Sequence, residues 1–194
     1  MNYFSELRAQ WRPLTAALIG LGSGFSLTMY TTSIMAPHFL KEFGWSKSEF
    51  ALVGSLSLLT IPIFPFIGRL ADILGVRRTA LIGVVSLPLC FVAYSMMNGD
   101  IRIYITLFLL QSILCMSTTA TVYSRIVVQY VTNARGLALA IVASGPALTG
   151  AIGGPLLNNF VEARGWRAGY LALVVFSIIA GATALLLMLS LIHI

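Results

Sequence analysis

The sequence predicts an all-α membrane protein with six transmembrane helices. Three observations carry that prediction. Hydrophobic residues make up 58% of the chain, charged residues only 9%, and mean hydropathy is +0.93, whereas a soluble domain carries about 25% charged residues. Uncharged runs cover 13–40, 50–68, 79–99, 103–124, 136–161 and 168–194, and each holds the roughly 18 residues that a helix needs to cross about 30 Å of hydrocarbon. Each run is also apolar around its full circumference, unlike the half-buried helix of a soluble bundle. Barrel strands would alternate in polarity over about ten residues, and these runs do not. Backbone groups in lipid must be satisfied within their own segment, so helices follow.

The expected organisation is a single bundle over 1–194, with spans near 14–36, 49–68, 79–97, 103–124, 136–158 and 168–190. The first run is too long for a signal peptide, and Pro37-His38 is no small-residue cleavage site. It carries "TMYTTS", Thr28 to Ser33, whose Tyr30 is a hydrogen-bond donor at membrane depth. Span two runs to Gly68. Spans three and four hold Cys90 and Cys115, with no disulfide framework or metal spacing, so both read as packing residues. Span four adds Gln111 and Tyr123 as polar groups, and Arg125 near its end. That arginine either snorkels to the headgroups or faces a cavity. Span five carries "SGPALTGAIGGP", Ser144 to Pro155. Small residues let helix backbones approach, so Gly145, Pro146, Gly150 and Gly154 are expected at a helix contact. His38 and His193 fall near span ends and are expected at the interface.

Loops between spans are short. No Ser/His/Asp set, no His/Glu metal pattern and no phosphate-binding glycine loop is visible, so the expectation is no enzyme, no metal and no cofactor. The net charge of +6 is explained by loops and calls for no nucleic acid. Six spans place both termini on one side. With the N-terminus cytoplasmic, the inner segments hold Arg8, Arg12, Arg69, Arg77, Arg78, Arg125 and Arg135, against Lys41, Lys47, Arg102, Arg164 and Arg167 outside. The Lys/Arg bias decides topology, and it favours that orientation. Trp11, Trp45 and Trp166 flank spans, as an interfacial aromatic belt would.

One polar stretch stands out. "GRLADILGVRR", Gly68 to Arg78, puts Arg69, Asp72, Arg77 and Arg78 within eleven positions. Here Gly68 is expected to end span two, Gly75 to make the turn, and Arg77 and Arg78 to begin span three. The spacing G-x-x-x-D-x-x-G-x-R-R resembles the signature loop of the major facilitator superfamily. Gly68, Asp72, Gly75, Arg77 and Arg78 match it, and Ile73 departs where the family usually has a base. "EFGWSKSEF" after span one, "ARGLALAIVASG" entering span five and "GWRAGY" before span six resemble the monocarboxylate-transporter-like and oxalate/formate-antiporter-like branches.

The resemblance implies a secondary transporter that works by alternating access, with a mono- or dicarboxylate as the expected substrate. It implies that Asp72 contacts the positive end of a helix in the other half of the transporter, and that the arginines pair with nearby acids to hold one side shut. Such contacts follow ordinary physics, since a carboxylate favours a helix N-terminus and a few contacts bias a two-state equilibrium. Tyr30, Gln111, Tyr123 and Arg125 would line the substrate path. Two family patterns are incomplete here. Gly145, Pro146 and Gly150 fit the antiporter signature, but Ala140 and Thr149 replace two of its glycines. The arginine that proton-coupled members carry three positions before a Gln is Phe108.

Members generally have twelve spans in two six-span halves, each a pair of inverted three-helix repeats. The chain therefore corresponds to one N-terminal half of a protein of the inner or plasma membrane and is expected to be a fragment. Its partners would be an organic anion, the lipid bilayer and the missing C-terminal half. As a lone half it is expected to hold no partner for Asp72. The competing expectation is a non-transporting membrane scaffold that uses the span-five glycine face to bind other helices.

Overall fold

Six helices long and apolar enough to cross a bilayer run Trp11–Phe43, Lys47–Leu74, Val76–Ser95, Ile101–Tyr130, Arg135–Arg164 and Trp166–Met188. A short helix, Tyr3–Ala9, precedes them. The computed structural model describes residues 3–189, and among these there is no β-strand. His193 and the expected end of span six at 190 lie outside the described residues.

The number of spans matches the sequence expectation, but their ends do not. Charged residues leave the hydrocarbon without leaving the helix. Span one runs on through Lys41 and Glu42 to Phe43. Span two begins at Lys47, where Ser46 and Glu49 form a reciprocal capping box, a pairing that satisfies two orphan N–H groups at once. Gly68 does not end span two. It lies inside Phe64–Leu74, which carries Arg69 and Asp72 on its final turns. Gly75 alone makes the turn, with φ +81°, a conformation costly to any residue with a Cβ. Span three starts directly after it, at Val76.

Four of the six spans are interrupted. Span one turns between Gly22 and Leu27. Span two tightens into a 3₁₀ helix over Ser57–Ile63, which contains Pro62. Span four does the same over Met116–Thr118, and span five is interrupted at Ser144. Each interruption frees backbone carbonyls, and hydroxyls recover them, as membrane depth requires. Ser23 Oγ donates to the Ile19 carbonyl (2.7 Å) and Ser26 Oγ to that of Leu21 (2.7 Å). Thr60 bonds Ser57, Thr118 bonds Cys115, and Ser144 bonds Ile141, each at 2.6 Å. Spans three and six are unbroken.

Burial sorts the spans in pairs. Within their apolar windows, 61% of span one and 44% of span four is buried, against 11% of span two and 17% of span five. Spans one and four thus run through the middle, and spans two and five lie at the edge with apolar side chains turned outward. The equivalence of one with four and two with five is the pattern of two three-helix repeats.

Two apolar cores stack along the bundle. One gathers Phe39, Phe91, Tyr94, Tyr104, Trp166 and Tyr170; its end of the bundle is called the aromatic end below. The other is built from Ala16, Ala17, Ala80, Ala138, Val122 and Val127 and their neighbours. It lies at the end that carries Arg8, Arg69, Arg77, Arg125 and Arg135, the arginine end.

Candidate functional site

The arginine end holds the polar stretch Gly68 to Arg78. Asp72, on the last turns of span two, forms an ion pair with Arg125 of span four. Arg125 is steadied by its own helix, with Nε donating to the Thr121 carbonyl at 3.1 Å. Gly68 lies beside Arg125, at ordinary contact distance. This corrects one expectation. Asp72 does have a partner within the chain, on span four. Arg125 has its charge matched by Asp72 and is half-buried. Among the described residues Arg77 and Arg78 join no ion pair, and the two that form are Asp72–Arg125 and Glu42–Arg167. Ile73, which replaces a base, is exposed on the outward side.

A second carboxylate at this end was not legible as functional. Glu6, on the short amino-terminal helix, is 4% exposed. It accepts from the backbone N–H of Thr132 (2.8 Å), Asn133 (3.1 Å) and Ala134 (2.8 Å), and from the Thr132 hydroxyl (3.0 Å). These amides lead into span five, whose N-cap residue, Ala134, has no side-chain acceptor. Helix N-termini leave such N–H groups unsatisfied and positively polarised. Of the three, the Ala134 amide belongs to the helix end itself, and Glu6 holds it and the turn before it from more than 120 residues away. The Thr132 amide bond, ahead of the opposing effect of burial and helped by the other two amides, holds the Glu6 carboxyl down at about 2 from 4.5. The available signal was weak: an isolated acid near the chain start and a helix start without Ser, Thr, Asp or Asn at its cap.

Between the two ends, spans one, three, four and five cross at a waist of small residues. A Cβ on Gly22 would lie 2.9 Å from the Gly145 carbonyl oxygen, and one on Gly145 would lie 2.6 Å from that of Leu18. Gly24 and Gly83 both press on Thr118. The Phe25 N–H donates to Thr118 Oγ1 at 2.9 Å, tying the break in span one to the break in span four.

The expected path residues are not brought together. Tyr30 packs its ring on Gly150 and donates to the Pro146 carbonyl at 3.0 Å. Gln111 is buried inside the six helices beside Thr28, Thr31 and Thr32, in a narrow polar void. Tyr123 is buried against Gly20. Tyr30 lines open grooves. Four buried polar atoms of spans one and four, Thr28 Oγ1, Gln111 Nε2, Ser112 Oγ and Tyr123 Oη, have no hydrogen-bond partner among the described residues.

Two grooves flank Tyr30. One of about 540 Å³ is lined by apolar residues of spans one, five and six, among them Leu27, Ile152, Leu156 and Phe176. The other, of about 390 Å³, has Ser33, Asn158 and Asn159 on its walls. Gly154 borders both and meets nothing within 4 Å of a Cβ position. It shapes the grooves, so the expectation that it packs a helix is corrected. Gly145 and Gly150 do sit at close helix contacts, and Pro146 supplies the carbonyl for Tyr30.

At the aromatic end, two sequence motifs meet. Glu42 of "EFGW" accepts from Trp166 Nε1 (2.5 Å) and Arg167 Nη1 (2.7 Å) of "GWRAGY". Trp45 Nε1 donates to the Gly99 carbonyl at 3.0 Å. Gly44 and Gly165 turn these two loops with φ of +71° and +85°.

The chain's sequence matches the family described as Major Facilitator Superfamily over residues 16–192. No curated protein matches it.

Proposed function

The chain belongs to the major facilitator superfamily, a family of membrane transporters of small solutes and not of enzymes, and on that premise we propose that it forms the N-terminal half of a carboxylate transporter whose state is set by Asp72. The Asp72–Arg125 pair carries this reading. It joins span two, at the edge of the bundle, to span four, at its centre. In alternating access one six-helix unit rocks against another. A charge shared between an edge helix and a central helix changes partners when the edge helix moves. Gly75 supplies the turn after Asp72, and Arg77 and Arg78, which follow it in sequence, are alternative partners. A C-terminal half would offer a helix N-terminus as a further competitor for Asp72.

The exposed apolar faces of spans two and five are the surfaces that such a second half would cover. Carboxylate chemistry is supported by donors at one groove, where Tyr30, Ser33, Asn158 and Asn159 present hydroxyls and amides. Neither groove has a cation on its wall. The charge that neutralises an organic anion then comes from the second half, or from Arg125 when Asp72 lets go. The unpartnered polar atoms of Gln111 and Tyr123 support a path through spans one and four in another state, because a buried unpaired donor costs about 1–3 kcal/mol. The orientation proposed places the arginine end in the cytoplasm, in the inner or plasma membrane. The scaffold alternative would have to use the open part of span five around Gly154, since Gly145 is already packed on span one.

The test is uptake of radiolabelled monocarboxylate and dicarboxylate into proteoliposomes holding this chain with its second half. Saturable uptake is expected. A preparation that moves neither carboxylate, while the six-helix chain binds a membrane protein stably, overturns the reading.

A further inference from the structure

The amino-terminal stretch has two faces with different chemistry. Glu6 and Leu7 turn inward. Glu6 is clasped by the amides of 132–134, and Leu7 packs on the alanine-rich core. Tyr3, Phe4, Arg8, Trp11 and Arg12 turn outward, with Phe4 76% and Trp11 51% exposed. Phe4 and Arg8 lie four residues apart on Tyr3–Ala9, and Trp11 and Arg12 open span one beyond the break at Gln10, so the outward stripe is carried by two helices in succession. The Arg12 guanidinium lies 5.6 Å from the Trp11 ring centre. Aromatic rings with arginines between them, at the end of a span, suit the headgroup layer of a bilayer.

Charge favours one kind of lipid. The outward stripe carries two arginines and no acid, and the one acid of this stretch is buried on the opposite side. Arg135, close by in the fold, is turned to its own chain, bonding the carbonyls of Val131 and Val128. We propose that residues Tyr3–Arg12 bind the headgroup of an anionic phospholipid through Arg8 and Arg12, with Tyr3, Phe4 and Trp11 seated in the interface, and that Glu6 fastens this lipid-binding element to the start of span five. This surface is separate from the grooves at Tyr30 and does not depend on the substrate. It places lipid recognition on the stretch that holds the start of span five, so loss of that hold loosens the lipid site as well.

The experiment titrates the full chain in neutral detergent with phosphatidylglycerol or phosphatidylcholine and counts bound lipid by native mass spectrometry. The wild-type chain is expected to prefer phosphatidylglycerol. Arg8→Gln and Arg12→Gln should each reduce that preference about fivefold, and added salt should reduce it further. Glu6→Gln should also weaken it and speed hydrogen exchange at the amides of 132–134. Arg102→Gln, at the other end, should leave it unchanged. The proposal is overturned if the Arg8→Gln/Arg12→Gln chain keeps the full preference, if Arg102→Gln loses as much, or if Glu6→Gln frees the amides without touching lipid binding. A wild-type dimer in neutral detergent that Arg8→Gln/Arg12→Gln dissolves would also overturn it, because the stripe would then be a contact between copies.

Discussion

The two ends of the bundle are held by different physics. At the aromatic end, rings from five spans interlock. Phe39 lies 5.0 Å from Trp166, 5.5 Å from Tyr104 and 5.8 Å from Trp45, centre to centre. At the arginine end, the buried side chains are mostly alanine and valine, and the Asp72–Arg125 pair joins two spans at the surface. Interlocked rings admit one packing, since a shift of one helix drives each ring into its neighbour. Small side chains give smooth surfaces that packed helices can slide along, and a carboxylate can exchange one donor for another at little cost. On the proposed reading, the aromatic end is the fixed body and the arginine end is where contacts are exchanged.

The sharpest way to break this contrast is to remove a ring. Phe39→Ala deletes a fully buried side chain that touches five other rings. It should destabilise the protein by about 3 kcal/mol, read as a large fall in melting temperature in detergent. Ala80→Gly, equally buried at the arginine end, should cost only about 1 kcal/mol. Equal losses at the two sites would remove the distinction between the ends.

Acid should loosen the Glu6 contact at the arginine end. The Glu6 carboxyl is held at about 2, below its ordinary 4.5. A depressed folded value means that the contribution is complete above 4.5 and is lost as pH falls from there through 2. The amides of 132–134 should then lose protection in that window, after correction for intrinsic exchange. In Glu6→Gln they should be weakly protected throughout, with no step. A wild-type chain whose protection is flat from pH 5 to pH 2 would show that Glu6 does not hold span five.

Much of the fold is legible in the sequence, and the reason is physical. Length and hydropathy count spans, because hydrocarbon thickness sets both. They misplace the ends of spans, because charge marks the edge of the lipid and not the end of the helix. Gly75 is readable as a turn, since its place between two apolar runs calls for a positive φ. Gly68 is easily misread, because a glycine looks alike whether it ends a helix or lies inside one, as it does here. The Asp72–Arg125 and Glu6–Ala134 contacts join residues 53 and 128 positions apart, and spacing within one motif carries no information about them. Tyr30, Gln111 and Tyr123 stand out as polar groups in apolar helices, which identifies them but says nothing about which face they occupy.

A smaller effect is expected from the charged contact at the aromatic end. Glu42→Gln keeps an acceptor for Trp166 Nε1 and loses the charge opposite Arg167. Both side chains are more than a third exposed, so water screens the pair, and the loss should be about 0.5–1 kcal/mol. The aromatic body should stay closed, with thermal melting shifted by only a few degrees. If Glu42→Gln matched Phe39→Ala, charge and not ring packing would hold that end.

The smallest change in stability should come from Asp72→Asn, and it should have the largest consequence for state. Asp72 is 63% and Arg125 33% exposed, and exposed pairs contribute about 0–1 kcal/mol. Melting should barely move. Yet about 1 kcal/mol changes the ratio of two states about fivefold, so a contact present in one state and absent in the other shifts their balance by that factor. In the transporter with its second half, reporter cysteines Leu74→Cys at the arginine end and Met96→Cys at the aromatic end would follow the balance, because Cys90 and Cys115 are buried. Asp72→Asn should change the labelling rates at the two ends in opposite directions. Arg125→Gln should shift them the same way, and the double variant should add little to either, which is the signature of one shared contact. Unchanged labelling in all three would leave the arginine end as fixed as the aromatic one, and the pair would be a surface ion pair with no part in the motion.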